Sequence, residues 1–523
     1  MLRISPEMTS TMKLAEEHLM VRNMVRERMN AADITHKADP KDKQDKPGMI
    51  QKYERHNAPF AWPLVREMAE LGLCGINIPE EYGGAGMDNL SGVIAMIEMC
   101  KVWSGGALIL GVGNSLVSDP LFRLGSEEQK RKWLPELVAG KILGSFCLTE
   151  PNHGSDAARI ETYAEPVSGG FSISGEKCFI TNAPVAKFLI VFARTDRTIK
   201  DHRGVSAFLI PVRREDKKSG ALKIGKPEQK LGLHAAHMGS IVFNNLFVPE
   251  SCLLGELGNG FGKGAMATLN HGRNWIAAQG IGILDAVTLL SLKHAQNRIA
   301  FGVPTIVHSG IGDPIVKMVL AADISRILLF YSAWLEDQGA EFAHYASLAK
   351  LFSSENARWL TQEAQRIYGG SGYLADMEIA RFVLDSLPLD IYEGASNVQR
   401  SNIARAWVDG KISFYVPPLY ERQMSDLKEK VARELGEKSA LALEDQREPF
   451  RVADILPLWA TKELILREFN ESWPKEFMWF KEPSLLTALI HEQIKKDLDS
   501  TIVRNGNLWD EAKKRIIKHT ALT

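Results

Sequence analysis

The chain has 523 residues, 45% of them hydrophobic and 24% charged, with a formal net charge of −1 at pH 7. This is the composition of an ordinary globular protein with room for three or four domains. The balanced charge argues against general attraction to nucleic acid or to an anionic membrane.

Residues 9–29 place Met12, Leu14, Ala15, Leu19, Val21 and Val25 on one face of an amphipathic helix. Glu7, Glu16, Glu17 and Glu27 interrupt this start, which reads as neither a secretory signal nor an acid-poor transit peptide, so a cytoplasmic location is expected. Residues 32–51, rich in Lys, Asp and Pro, predict a solvated loop. A helical run then ends near Leu71-Gly72-Leu73, and Pro79-Glu80-Glu81-Tyr82-Gly83-Gly84-Ala85-Gly86 forms a turn whose glycines permit left-handed backbone angles. Further helices lead to Gly140. Between Gly144 and about Gly255, short β-branched and aromatic runs at 171–174, 188–192, 206–210 and 240–243 alternate with Gly, Pro and Asn turns, the pattern of a β domain. Helical spacing returns at 269–294, 316–338 and 341–368. After Trp407, Pro417-Pro418 marks a boundary and the remainder to Thr523 reads as mostly helical. From Ile412 onward there are 18 Lys or Arg against 19 Asp or Glu, a net −1 that argues against nucleic-acid binding by this tail.

The fold class is therefore α+β. An N-terminal helical domain (1–143) precedes a central β domain (144–255), a C-terminal helical bundle (256–411) and an extra helical tail (412–523). No uninterrupted apolar run approaches the roughly 18 residues that cross a bilayer. Cys74, Cys100, Cys147, Cys178 and Cys252 contain no Cys-x-x-Cys pair, which indicates buried thiols rather than a disulfide framework or a zinc site.

Three segments carry candidate chemistry. In Phe146-Cys147-Leu148-Thr149-Glu150-Pro151-Asn152-His153-Gly154-Ser155-Asp156 a strand breaks into a loop of hydroxyls, glycine and backbone amides, a setting that can hydrogen-bond a flavin edge or a phosphate; alone, these residues also make an ordinary turn. Phe179-Ile180-Thr181-Asn182 adds an aromatic plane and another hydroxyl in a β context. In Ile391-Tyr392-Glu393-Gly394-Ala395-Ser396-Asn397-Val398-Gln399-Arg400 a carboxylate stands between an aromatic residue and a glycine, and burial there would raise its basicity towards a weakly acidic carbon.

Together these segments resemble the acyl-CoA dehydrogenases. The same order includes Leu231-Gly232, Val248-Pro249, Leu254-Gly255, a motif from Arg298 through Phe301 and Gly302 to Pro304, and one from Gln365 through Gly369 and Gly370 to Gly372. The resemblance spans about residues 60–407. It implies an FAD-dependent enzyme that dehydrogenates an acyl-CoA to the trans-2-enoyl-CoA, with Glu393 as the α-proton base and hydride passing to flavin N5. Phe146, Leu148 and Thr149 match positions bordering one part of the flavin, and Phe179, Ile180 and Thr181 another. Arg298, Phe301, Gln365, Gly369 and Gly370 match positions through which a neighbouring subunit holds the pyrophosphate and adenosine, and Ala395, Ser396 and Asn397 those just after the base. Ser155, Asn270, Arg273, Tyr392 and Gly394 match positions that touch substrate or brace the site. Some relatives carry the base near Arg273; here that place is Gly272, leaving Glu393. His271 reads as a packing or surface histidine, and Arg273 can also be read as a structural ion-pair partner. The implied partners are electron-transfer flavoprotein and further copies of the chain, as a homodimer or homotetramer.

The chain departs from the family pattern in several places. Ala395 replaces a small hydroxyl residue, Asn152-His153 replace small residues before Gly154, and Phe179 stands where tryptophan is frequent. The 306–314 stretch lacks a common glutamine. Ser104-Gly105-Gly106-Ala107 resembles the place where the glutaryl-CoA branch carries a carboxylate-binding arginine, and none is present. An oxidase, a non-dehydrogenating acyl-CoA flavoprotein and a DNA-binding alkylation-response flavoprotein are the alternative readings; the last lacks the clustered Lys and Arg that phosphate contacts need.

Overall fold

The computed structural model describes residues 14–37 and 47–412, and in the tail 453, 454, 456–458, 460, 461, 478, 484, 486–490 and 493. The chain divides into two compact units, Asn23–Trp275 and Met1–Arg22 with Ile276–Thr523. The described tail residues other than Met478 are helical; the rest of the predicted tail lies outside the described residues.

Helix α1 (Glu16–Met29) buries Val21 and Val25 of the predicted face, while Leu14 and Ala15 precede it and Met12 lies outside the described residues; it carries acids in its first turn and Arg26 and Arg28 in its last, complementing the helix dipole. The predicted solvated loop at 32–51 holds two short helices, Ala32–Thr35 and Met49–Tyr53. Each buries an apolar anchor, Ile34 and Tyr53, which the surrounding charges masked in the sequence. Helices α2 (Trp62–Glu70), α3 (Asn89–Gly111) and α4 (Glu127–Val138) are the longer helices that follow before the sheet. Asp88 caps α3 by accepting from the Ser91 amide at 2.8 Å. Trp103 breaks the helical angles inside α3 (φ −148°, ψ 85°), and its indole donates to Glu54 Oε2 at 2.6 Å. Ser126 and Gln129 form a reciprocal capping box on α4. Gln129 also donates to the Ser251 and Leu253 carbonyls at 3.0 Å, tying the helix to the sheet.

The β region holds β1 (Gly144–Cys147), β2 (Tyr163–Val167), β3 (Gly170–Thr181), β4 (Phe188–Arg194), β5 (Val205–Pro211), β6 (Leu222–Ile224), β7 (Met238–Pro249) and β8 (Leu253–Leu254). Their order is β6-β7-β3-β2-β4-β5-β8, with β1 paired in parallel to β4. Every residue of β4 is buried, whereas β7 alternates, so one runs through the core and the other has a solvated face. Ile173, Leu189, Val191, Phe208, Ile241 and Phe243 pack in one apolar cluster on which the loops rest.

The second unit is built from the part of α5 (Ala267–Asn297) beyond Trp275, α6 (Ser309–Asp337), α7 (Ala343–Tyr368), α8 (Glu378–Ser386) and α9 (Ser396–Val408), with a hairpin of β9 (Ile299–Ala300) and β10 (Val303–Pro304) after α5. The three long helices lie where the apolar spacing placed them. Gly280 lets α5 approach α7 closely, since a Cβ there would stand 3.1 Å from the Ser353 backbone. Arg326 on α6 binds Asp285 through both carboxylate oxygens at 2.7–2.8 Å and Asp323 at 2.9 Å, which satisfies a buried guanidinium. Two helical stretches, Asn89–Leu124 and Gly260–Asn297, are long and apolar enough to cross a bilayer by composition alone, which the count of uninterrupted apolar residues missed. Their apolar windows are 94% and 89% buried within the protein, as core helices are.

Candidate active site

In the Asn23–Trp275 unit, β1 leads into the 148–156 loop beside the end of β3. Phe146 is half-buried against Phe192 with ring centroids 4.8 Å apart, Leu148 is buried, Thr149 is half-buried and Ser155 is exposed. The Cys178 amide donates to the Thr149 carbonyl at 3.1 Å, and the Ser145 hydroxyl to the Thr181 carbonyl at 2.9 Å. These two bonds bring the two candidate flavin segments together. The pairing of β3 with β7 slips between Lys177↔Ile241 and Ile180↔Gly239, so three steps on β3 face two on β7. This bulge puts Phe179 in a left-handed conformation (φ 59°) and turns its ring outward, 67% exposed, while Ile180 stays in the core.

Beneath these segments lies a buried ion pair. Lys177 Nζ donates to Glu150 Oε1 at 2.8 Å and to the Leu148 carbonyl at 2.9 Å, and the Glu150 carboxylate also accepts from the Thr162 amide at 2.9 Å and the Glu161 amide at 2.5 Å. Burial pushes the Glu150 carboxyl up, but the Lys177 ammonium and these donors outweigh it and hold it below the usual carboxylate range. On α5, Arg273 is buried and donates to Asn270 Oδ1 at 2.5 Å, so these two substrate candidates hold each other. His271 is a packing histidine: it is buried, and its Nε2 accepts from the Trp275 indole at 3.0 Å, which requires the neutral ring with its proton on Nδ1. Five free cysteines are present, four of them buried; burial pushes the Cys74 thiol up to about 12.

In the other unit, Glu393 lies on the turn between α8 and α9, where the sequence read the end of a helical run. Its φ is 52° and that of Gly394 is 95°. Glu393 Oε2 is buried. The turn is fastened at several points. Lys350 Nζ on α7 donates to the Gly394 carbonyl at 2.8 Å, Gln399 Nε2 donates to the same oxygen at 3.0 Å, and the Ser396 amide donates to the Asp390 carbonyl at 3.0 Å. The Tyr392 hydroxyl donates to Gln279 on α5. Ala395 immediately precedes α9, Ser396 is buried and Asn397 is exposed.

The phosphate-binding candidates occupy the ends of α5 and α7. Arg298 follows α5 and is exposed; Phe301 and Gly302 form the hairpin tip with φ of 53° and 82°, and Phe301 is 96% exposed. Gly369 and Gly370 follow α7 with open space where a Cβ would stand, and Gln365 Nε2 braces them by donating to the Gly372 carbonyl at 3.0 Å. His294 stacks on Tyr368 at 4.2 Å, and the Tyr368 hydroxyl donates to the Leu290 carbonyl at 3.1 Å, so the two helix ends that carry these candidates are joined.

Comparison with known proteins bears on the whole arrangement. Residues 15–141, 145–246 and 258–408 match the N-terminal, middle and C-terminal domains of acyl-CoA dehydrogenase. The chain belongs to the acyl-CoA dehydrogenase family. It is 37% identical over 394 residues to the short-chain specific acyl-CoA dehydrogenase, mitochondrial, of Bos taurus, covering 75% of this chain and 90% of that one. Among solved structures it is similar to butyryl-CoA dehydrogenase from Megasphaera elsdenii (TM-score 0.68, 32% identity, 76% of this chain and 100% of the other). It is also similar to a chain from a study of the electron transferring flavoprotein of Acidaminococcus fermentans (TM-score 0.69, 32% identity, 76% and 99%).

The acyl-CoA dehydrogenase homologue is thus an FAD-dependent oxidoreductase of the α+β class. Its residues fit the cofactor: an outward aromatic plane at Phe179 stands next to Thr181, and the open glycines at 369 and 370 let backbone approach phosphate. The sequence reading missed Lys177, Lys350, Gln279 and Gln399. Lys177 did leave a signal, since it shares the inward phase of Phe171 and Ile173 on β3. Lys350 stands in an apolar stretch of α7 that has no other charge between Ala343 and Phe352.

Proposed function

We propose that the protein dehydrogenates a saturated acyl-CoA thioester at its α and β carbons to the trans-2-enoyl-CoA, with Glu393 removing the α-proton. The observation that carries this reading is the setting of Glu393: a left-handed residue before Gly394, on a turn pinned by Lys350 and Gln399, with one carboxylate oxygen shielded from water. Removing water from a carboxylate disfavours its charged form and suits it to taking a proton. The Glu393 amide is assigned to polarise the thioester carbonyl, which stabilises the negative charge that develops there. FAD, when bound, supplies the acceptor for the β-hydride. Phe146, Leu148, Thr149, Phe179, Ile180 and Thr181 are assigned to its ring system. Arg298, Phe301, Gln365, Gly369 and Gly370 are assigned to pyrophosphate and adenosine across a subunit boundary in a homodimer or homotetramer, with Ala395, Ser396 and Asn397 completing the cofactor site. Ser155, Asn270, Arg273, Tyr392 and Gly394 hold or brace the thioester.

The acyl tail is assigned as uncharged. The segment Ser104-Gly105-Gly106-Ala107, which resembles the place of an acid-binding arginine, carries none, and a Cβ at Gly105 would come within 2.1 Å of Glu54 Oε2. A carboxylate already fills that space, held by the Trp103 indole and the Ala235 amide. Electron-transfer flavoprotein is proposed as the electron acceptor, which the similarity to the Acidaminococcus fermentans chain supports. A cytoplasmic location and the division at 1–143, 144–255, 256–411 and 412–523 belong to the same proposal.

The test is an anaerobic visible-spectrum titration of the flavin-loaded protein with saturated acyl-CoA thioesters, repeated on Glu393→Gln. Bleaching of the flavin band by one chain class, abolished in the variant, is the expected result. A band that stays oxidised with every thioester, or bleaches equally in Glu393→Gln, refutes the assignment.

A further inference from the structure

The peptide that follows Gly394, one residue beyond Glu393, is held by more than its own turn. Lys350 is fully buried, and its ammonium donates to the Gly394 carbonyl at 2.8 Å. Gln399, also fully buried, donates to the same oxygen at 3.0 Å, so both lone-pair directions of one carbonyl are engaged by long side chains from two helices. Burying an ammonium costs several kcal/mol unless its surroundings repay it. A leucine would fill this interior position of α7 without that cost.

The flanks of the turn are anchored to the same helix. Arg358, eight residues beyond Lys350 and on the same helical face, pairs with Asp390 just before the turn. Glu355 pairs at 2.5 Å with Arg400, on α9 just after it, and Arg400 also meets Asp454 of the tail at 2.7 Å. Helix α7 thus sets the positions of residues 390, 394 and 400. The residue between these anchors, Glu393, has the backbone angle that needs support. A left-handed glutamate is uncommon and strained, and it persists where its surroundings over-determine it.

We infer that Lys350 is a positioning residue for the Glu393 base: by holding the Gly394 carbonyl it fixes the Gly394-Ala395 peptide, and so keeps Glu393 and Gly394 in their left-handed angles and aims the carboxylate at the substrate α-carbon. This rests on the assignment of Glu393 as base. Lys350 touches neither substrate nor flavin in this role, so its loss slows proton removal and leaves flavin content and thioester affinity in place. A misplacement of about 1 Å at a reacting group costs on the order of 10²-fold in rate.

The experiment is anaerobic single-turnover flavin reduction by the saturated acyl-CoA that bleaches the parent fastest, with and without deuterium at the α-carbon. It compares the parent, Lys350→Met, Gln399→Met and Glu393→Gln, all flavin-loaded. The expected result for Lys350→Met is a reduction rate about 10²-fold lower, a larger α-deuterium effect, and flavin content and thioester affinity within about threefold of the parent. Gln399→Met removes the weaker donor to the same oxygen and shows a smaller loss with the same isotope signature; it decides the matter if Lys350→Met does not accumulate folded. A parent-like rate and isotope effect in the variant that is read overturns the inference, as does a defect confined to flavin content or thioester affinity. Glu393→Gln separates the two levels. If it still reduces flavin, the base assignment fails and this inference with it; if it is inert while Lys350→Met is parent-like, only the role of Lys350 falls.

Discussion

Replacing Lys177 by methionine tests whether the buried pair organises the two segments proposed to face flavin. The substitution keeps the volume of the aliphatic stem but removes the ammonium from Glu150 Oε1 and from the Leu148 carbonyl, contacts of 2.8 and 2.9 Å. Glu150 keeps the Thr162 and Glu161 amides, so it is not stripped of partners, but its charge is left uncompensated in a fully buried place. Breaking such a pair from one side costs about 3–5 kcal/mol. The pH dependence follows from the direction of the Glu150 shift. In the parent the folded carboxyl lies below its usual value, so its contribution is complete above the unfolded pKa and is lost as pH falls through the folded one. Without Lys177, burial governs, the folded value moves above the unfolded one, and protonation relieves the strain as pH falls. Lys177→Met is therefore least stable relative to the parent near pH 7, with the gap closing in mild acid. Lys177→Met/Glu150→Gln recovers most of the loss at pH 7. The assay is urea-induced release of flavin fluorescence from the parent, both single variants and the double, at several pH values. A single variant within about 0.5 kcal/mol of the parent, or a gap that does not change with pH, refutes the reasoning.

Three further outcomes are expected. His344 is buried, and burial holds its imidazole down to about 4, with Lys411 acting in the same direction and Glu341 opposing. The unfolded chain then binds one more proton between about pH 4 and 6.5, so stability falls by on the order of 3 kcal/mol as pH drops through that window; His344→Phe flattens the acid limb of a denaturation series, and an unchanged limb counts against the assignment. Gly105→Ala forces a methyl against Glu54 Oε2 and lowers the thermal midpoint by an amount corresponding to about 1–3 kcal/mol of overpacking, whereas in a Glu54→Ala background, already weakened by the loss of the acceptor for the Trp103 indole, the same change adds little. Ser126→Ala removes half of the α4 capping box and costs about 0.5–2 kcal/mol in chemical denaturation, with a neutral result showing that Gln129 holds the helix start through Ser251 and Leu253 alone.

The elements that were legible in the sequence are those fixed by short-range pattern. The β runs at 171–174, 188–192, 206–210 and 240–243 all fall inside strands, and the three long apolar spacings fall inside α5, α6 and α7 to within two residues at their ends. At 32–51 the pattern failed, because one buried side chain per short helix is too little to outweigh a charged stretch. The site segments were visible through their glycines and aromatics, but what holds them was not. Lys177 meets Glu150 across 27 residues, Lys350 meets Gly394 across 44, and Tyr392 meets Gln279 across 113. Such partners are brought together by strand pairing and helix packing, on which local periodicity carries no information. The bulge that turns Phe179 outward is equally hidden, since it depends on the register between β3 and β7.

Backbone strain gives a view of the site that does not depend on family resemblance. Among the described residues, seven other than glycine have a left-handed φ: Asn57, Phe179, Asn182, Leu233, Asn245, Phe301 and Glu393. The three asparagines need no special account, because their short side chains tolerate this region. Of the other four, Phe179, Phe301 and Glu393 are those for which the family resemblance proposes roles at the flavin ring, at the cofactor's pyrophosphate and adenosine, and in proton removal. Each is in a different local device, a β-bulge, a two-residue hairpin and an interhelical turn, so no shared secondary structure explains the coincidence. Phe179 and Phe301 also expose 67% and 96% of their surface, a poor return for strain unless a ligand or another chain covers the ring. A glycine at any of the three would relieve the backbone at once. Phe179→Gly and Phe301→Gly therefore separate the costs of backbone and ring: flavin-free protein gains stability or stays level, while flavin affinity falls. Loss of stability without loss of flavin affinity would show that the rings serve the fold and not the cofactor.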